Sequence, residues 1–152
     1  MDTTSLPFYI NGKKYVYNPV TLAYCMDGRK DMQEKVITYD VLIERLQEIK
    51  EEAKKHWSIN FAVDIAVKDK GYLSVGLGEN ESIISLYMID EDIYLTSLGN
   101  EQSIGFSTYY FGDWTDISNK YSIPWAKALL VIKTWIETGN ISDCINWTRN
   151  LY

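Results

Sequence analysis

Tyr109–Trp147 reads YYFGDWTDISNKYSIPWAKALLVIKTWIETGNISDCINW, and its order of signals decides the fold. An aromatic strand runs into a Gly112-Asp113 turn and then into an acidic strand, Trp114–Ser118. Pro124 follows; its missing N–H suits the first turn of a helix. Trp125, Ala128, Leu129, Ile132, Trp135 and Ile136 then recur at helical spacing, and Leu130 and Val131 widen the apolar face. Gly139 can take the left-handed conformation that ends a helix, with Asn140 beside it. A short strand ending in Trp147 completes a β-β-α-β unit that contains no plausible catalytic machinery.

Working outward, Phe61–Val67 alternates around Asp64. Tyr72–Leu77 is followed by a Gly78-Glu79-Asn80 turn. Ser82–Met88 is rich in β-branched and aromatic residues, and Asp90-Glu91-Asp92 separates it from Ile93–Ser97. Phe106–Phe111 continues the series. Such short connections favour antiparallel pairing, because parallel neighbours need a crossover of a dozen residues or more. Leu42, Leu46, Ile49, Ala53 and Trp57 predict a second helix over Tyr39–His56, with Thr38 as its cap. Glu51 and Lys55 form a favourable i,i+4 pair on its solvated face. Near the N-terminus, Asn11-Gly12 between Phe8–Ile10 and Lys13–Tyr17 predicts a tight hairpin. Pro19–Lys35 has no clear period and contains Asp27-Gly28. It reads as loop, with at most a short strand at Thr21–Cys25. The expected architecture is α+β: a curved antiparallel sheet of about five to seven strands with two helices on one face.

The chain has 152 residues and a formal net charge of −6. That length suits one domain, with a hairpin and loop over residues 1–38 ahead of residues 39–152. Aromatic residues make up 14%, which argues against disorder. No run is long and apolar enough to cross a membrane. Met1–Ile10 lacks a basic start followed by an apolar core, so a cytoplasmic protein is expected. Cys25 and Cys144 are far apart, fit no metal-ligand spacing, and are expected as free thiols. The acidic balance disfavours direct nucleic-acid binding, which needs clustered Lys and Arg, and suits a basic partner. The plainer reading of the charge is solubility.

The usual signatures of catalysis are missing. His56 is the single histidine, and it falls at a helix end where a capping or surface role is expected. There is no G-x-S-x-G elbow, phosphate loop or zincin motif. Gly76-Leu77-Gly78 lacks the third glycine and the following helix of a dinucleotide loop. Asp64, Asp113 and Asp116 are the carboxylates to weigh for acid-base hydrolysis. Asp64 alternates with Val63 and Ile65 and is expected to face solvent. Strand alternation sends Asp113 and Asp116 to opposite faces, which is poor geometry for a pair. No catalytic residue, metal or cofactor is implied.

Binding remains. Acidic groups cluster at Glu79 with Glu81 and at Asp90, Glu91 and Asp92, in turns at opposite ends of the sheet. Tyr109, Tyr110, Trp114 and Tyr121 are candidate exposed anchors, because aromatic side chains dominate many interfaces. Trp135 and Trp147 are expected in the core.

The second half of the chain resembles the first family of bacterial polymorphic-toxin immunity proteins, which includes the antidote of a double-stranded-DNA cytidine deaminase toxin. The likeness rests on a VGLG strand and turn (Val75–Gly78) and on Ser82 opening the next strand. It continues with an FG-x-W-T-acidic-hydrophobic strand (Phe111–Ile117), in which Asp116 stands where glutamate is usual. It ends with Ile123, Pro124 and Ala128 at a helix start, and Gly139 followed by Trp147. The helix over Tyr39–His56 has a family counterpart, and the first forty residues match least. The resemblance implies an immunity protein that binds a cognate toxin domain and occludes its cleft, the toxin being a nucleic-acid-targeting deaminase or nuclease. Glu79, Glu81, Asp90, Glu91, Asp92, Tyr109, Asp113, Trp114 and Asp116 are then the expected partner-binding residues, with no nucleic acid or membrane as partner. The alternatives are an interaction module of unrelated purpose and a small hydrolase using Asp113 and Asp116. A shared pocket for those two carboxylates would favour the latter.

Overall fold

The structure is a computed structural model that describes residues 7–10, 13–16, 20–25, 31–36, 38–57, 60–111 and 113–149. It is α+β, as expected. Strands β1 (Pro7–Ile10) and β2 (Lys13–Val16) pair antiparallel as the predicted N-terminal hairpin. Its Asn11-Gly12 turn lies outside the described residues, as do Asp27-Gly28 and Gly112.

Among the described residues, nine strands form the main sheet. In chain order they are β3 (Val20–Cys25), β4 (Asp31–Val36), β5 (Asn60–Val67), β6 (Gly71–Gly76), β8 (Ile84–Met88), β9 (Ile93–Leu98), β10 (Phe106–Tyr110), β11 (Trp114–Ser118) and β13 (Asn146–Thr148). A small separate pair joins β7 (Glu81–Ser82) to β12 (Ile123–Pro124). The helices are α1 (Tyr39–Trp57) and α2 (Trp125–Thr138). In the Pro19–Lys35 segment, read as loop with at most a short strand at Thr21–Cys25, that strand is present as β3, whereas β4 was not expected, and the sheet is wider than predicted. In β3, Val20, Leu22 and Tyr24 alternate into the core. Among the described residues β4 (DMQEKV) pairs with β3 alone, and such an edge strand can stay polar, which hides it in sequence.

The sheet forks along one edge of β5. Residues 63–67 pair antiparallel with β3, whereas Asn60 and Phe61 pair parallel with Tyr109 and Tyr110 of β10. The meander β5-β6-β8-β9 is antiparallel, as short connections require, and β13 adds to β9. Alternation gives the sheet two different faces. Val63, Ile65, Leu73, Val75, Ile84 and Leu86 pack in one buried cluster with Leu42, Leu46, Ile49 and Ala53 of α1 and Ala128, Val131, Ile132 and Trp135 of α2. Each fully buried aliphatic or aromatic side chain contributes about 1.5–3 kcal/mol, so this layer dominates stability.

The local signals act as the sequence suggests. The Thr38 hydroxyl accepts the Val41 N–H at 3.2 Å and caps α1. Gly139 ends α2 at φ 69°, its N–H donating to Trp135 O at 2.7 Å. Pro124 is the residue just before α2, and the Trp125 N–H donates to Asn80 O at 2.9 Å. The Trp135 indole N–H donates to Ile65 O at 2.9 Å, tying α2 to the central strand. Trp147 is half-buried against the core, its indole N–H donating to Ser142 O.

A second, smaller core of Ile83, Tyr109, Ile117 and Tyr121, flanked by Leu98 and Phe111, sits under the β10–β11 hairpin. It fixes which side of that hairpin is covered and which is presented.

Candidate partner-binding surface

The β10–β11 register sorts the hairpin side chains. Tyr109 opposes Thr115 and Ser107 opposes Ile117 on the covered side. Tyr110 opposes Trp114, Thr108 opposes Asp116 and Phe106 opposes Ser118 on the other. Trp114 is 60% exposed and Phe106 72%. The Tyr110 and Trp114 rings lie 5.7 Å apart, and Tyr110 leans 5.8 Å from Phe61, half-buried against the main core. Tyr109 and Tyr121, expected as exposed anchors, are buried instead. The small core needs their rings, and burial pushes the Tyr109 phenol up to about 12, with Glu81 adding to the shift.

The carboxylates fall in three places. Glu79 is exposed and ion-paired with Lys54 of α1, while Lys50 Nζ donates to Glu79 O at 2.6 Å. The Lys54 hydrogen bond holds the Glu79 carboxyl below its ordinary range. Its charge is therefore offset by the helix. Glu81 is exposed on β7 nearby. Asp90, Glu91 and Asp92 are exposed in the turn after β8, at the other end of that five-residue strand, about 17 Å away. The two clusters are separate, as turn order implies. Asp113 and Asp116 are both exposed, and each has its own partner: Asp113 accepts the Trp114 N–H at 2.9 Å, and Asp116 accepts the Thr108 hydroxyl. Nothing in those contacts joins them into one acid pair.

A feature that residue types alone do not reveal lies on the face of the sheet away from the helices. Tyr72 of β6 opposes Tyr87 of β8, which opposes Tyr94 of β9. Their rings form a row with centroids 5.6 and 4.5 Å apart. The Tyr87 hydroxyl donates to Asp92 Oδ1 at 3.1 Å, and this bond raises the Tyr87 phenol above its ordinary value. Asp64 is exposed on the same face, as expected, and accepts the Ser74 hydroxyl. Counting positions from each turn would have put the three tyrosines opposite one another, but only with the register of all three strands known.

Among the described residues, no group of three or more His, Cys, Asp or Glu is arranged to hold a metal ion. Cys144 is a free, half-buried thiol. No helix among the described residues is long and apolar enough to cross a membrane.

The described residues thus form an α+β scaffold that presents acidic turns and exposed aromatics. The family model for Immunity protein Imm1 matches residues 31–149, spanning both helices and the sheet from β4 to β13, and the chain belongs to that family. It is thus an immunity protein, whose partner is a cognate toxin. No curated protein matches the chain.

Proposed function

We propose that this chain neutralises a nucleic-acid-targeting toxin, a deaminase or nuclease, by binding it stoichiometrically in the cytoplasm and covering its catalytic cleft, with no turnover of its own. The family match over residues 31–149 carries the reading. The nature of the toxin is inferred from charge. A cleft that draws in phosphates is basic, and in a deaminase it also holds a zinc-activated water. A chain of net charge −6 with exposed carboxylates at Glu81, Asp90, Glu91, Asp92, Asp113 and Asp116 suits such a cleft. Glu79, although offset by Lys54, belongs to the same candidate set, and the exposed Trp114 adds an anchor. Charge complementarity speeds encounter, and desolvated aromatics slow release. Residues 1–38, largely outside the matched span, are assigned to a variable segment that tunes partner choice, and residues 39–152 to the shared core.

The test is co-expression with the toxin domain encoded beside the chain. Growth rescue, together with recovery of a stable complex of the two purified proteins, is the expected result. Failure to rescue, or substrate turnover by the purified chain alone, would overturn the reading.

A further inference from the structure

We propose that the tyrosine row Tyr72–Tyr87–Tyr94, with the Asp90–Asp92 turn beside it, is the surface on which the toxin docks, and that it receives an arginine- or lysine-bearing protein surface. This deepens the proposed function and rests on it.

Contiguity selects this surface over the other two acidic sites. On the hairpin, Phe106 and Trp114 stand at opposite ends of the paired strands with the Thr108–Asp116 pair between them, so the apolar area is broken. At the β6–β7 turn, Lys54 and Lys50 already occupy Glu79. The tyrosines, by contrast, are immediate cross-strand neighbours. Tyr94 is 50% exposed and Tyr72 38%, and Ile89, also 50% exposed, is the residue just after β8. Ring-on-ring contact restricts each side chain before any partner arrives, so little rotamer entropy is left to lose on binding.

Charge selects the occupant. The hydroxyl of Tyr87, the middle member of the row, holds the Asp92 carboxylate beside it, and Asp90 and Glu91 are exposed in the same turn. The neighbouring β5–β6 turn contributes Asp69 and Lys68, while Lys70 packs its side chain along Gly139 at the end of α2. This end of the sheet is therefore acidic. Phenol faces attract guanidinium and ammonium groups, and carboxylates form charge-assisted hydrogen bonds with the same groups. A nucleic acid would be repelled by those carboxylates, whereas a basic protein cleft would not.

The experiment uses the full-length chain and the toxin domain against which it protects in co-expression. Affinity and association rate are measured for wild type, Tyr72→Ser, Tyr94→Ser, Glu91→Lys and Leu130→Ser, each checked by its melting curve. Leu130, equally half-exposed on α2, is the control. The two tyrosine variants are expected to bind at least about tenfold more weakly, as central aromatic anchors do. Glu91→Lys, in an exposed turn, is expected to slow association several-fold with the melting curve unchanged, and Leu130→Ser to bind as wild type. Wild-type binding by both tyrosine variants and by Glu91→Lys would overturn the assignment of this surface while leaving the proposed function standing. Wild-type chain that fails to bind the toxin at all would overturn the proposed function, and this surface with it.

Discussion

The ring of Tyr109 rests on the bare backbone of Gly76, so closely that a Cβ on that glycine would stand 2.6 Å from Tyr109 Cε1. Gly78 is constrained in the same way: its Cβ would lie 2.9 Å from Tyr109 Oη and 2.5 Å from Glu81 O. Both glycines of the Val75–Gly78 motif thus seat one aromatic side chain, and that side chain anchors the second core with Ile83, Ile117 and Tyr121. The motif by which the chain resembles its family is scaffold at these two positions. Its glycines let the β10–β11 hairpin close down on the sheet.

Gly76→Ala should therefore destabilise the fold by about 1–3 kcal/mol, the usual cost of overpacking a filled site. The contact makes a sharper prediction in combination. In a Tyr109→Ala background the obstructing ring is gone, so the alanine should cost much less, and the double-mutant cycle should be clearly non-additive. Chemical denaturation of the four proteins measures this. Additive losses would mean that the glycine is needed for another reason.

Trp135 fills the space between α2 and the central strand and donates its indole N–H to Ile65 O. Trp135→Phe keeps much of the apolar volume and removes the donor. The expected loss is about 1–3 kcal/mol, combining the broken buried hydrogen bond with a small cavity. Trp135→Ala should cost about 3–5 kcal/mol. Because α2 lies on the face away from the tyrosine row, toxin affinity of the folded Phe variant should be unchanged.

Glu34 ties β4 to α1. It accepts from Arg45 Nε at 2.8 Å and from the Tyr24 hydroxyl at 2.7 Å, while Arg45 also donates to Tyr24 Oη at 2.7 Å. The Arg45 hydrogen bond is the main cause holding the Glu34 carboxyl below its ordinary range. A carboxylate whose folded value lies below its unfolded value, about 4.3, contributes fully above that value. The contribution is lost as pH falls through the folded value. Both side chains are about a third exposed, at 34% and 32%, so solvent screening keeps it near 1 kcal/mol or less. Glu34→Gln should lower stability at neutral pH by that amount and flatten its loss as pH falls below the unfolded carboxylate value of about 4.3. Thermal melts on either side of that value measure the difference.

The two helices, the meander and the hairpin were legible because each writes its periodicity locally. Thr38, Gly139 and the apolar spacing of α2 needed no tertiary information. β4 was not legible, since an edge strand carrying Gln33, Glu34 and Lys35 has little apolar alternation to detect. Nor was the parallel pairing of β5 with β10, which joins Asn60 to Tyr109 across a long stretch of chain. The surface was readable only in part. The acidic turns stand out by composition, and alternation separates Tyr109 from Tyr110. Which of those two is buried depends on Gly76, Ile83 and Tyr121, all from other segments. The tyrosine row likewise emerges only once β6, β8 and β9 are in register.

Charge complementarity with a basic toxin has a kinetic signature of its own. On the proposed docking, the exposed carboxylates at Asp90, Glu91 and Asp92 would steer encounter from beyond contact distance, and salt would screen that steering over a Debye length of about 8–10 Å at physiological ionic strength. The association rate should fall by tenfold or more between about 20 and 500 mM salt, whereas the dissociation rate, set by the desolvated tyrosines, should change little. Replacing Asp90 and Glu91 with Asn and Gln should reduce the slope of association rate against ionic strength without altering dissociation. Tyr94→Ser should do the opposite, speeding dissociation at an unchanged slope. Stopped-flow measurements on the three proteins separate the two effects. An association rate indifferent to salt would show that the carboxylates keep the chain soluble and play no part in finding the toxin.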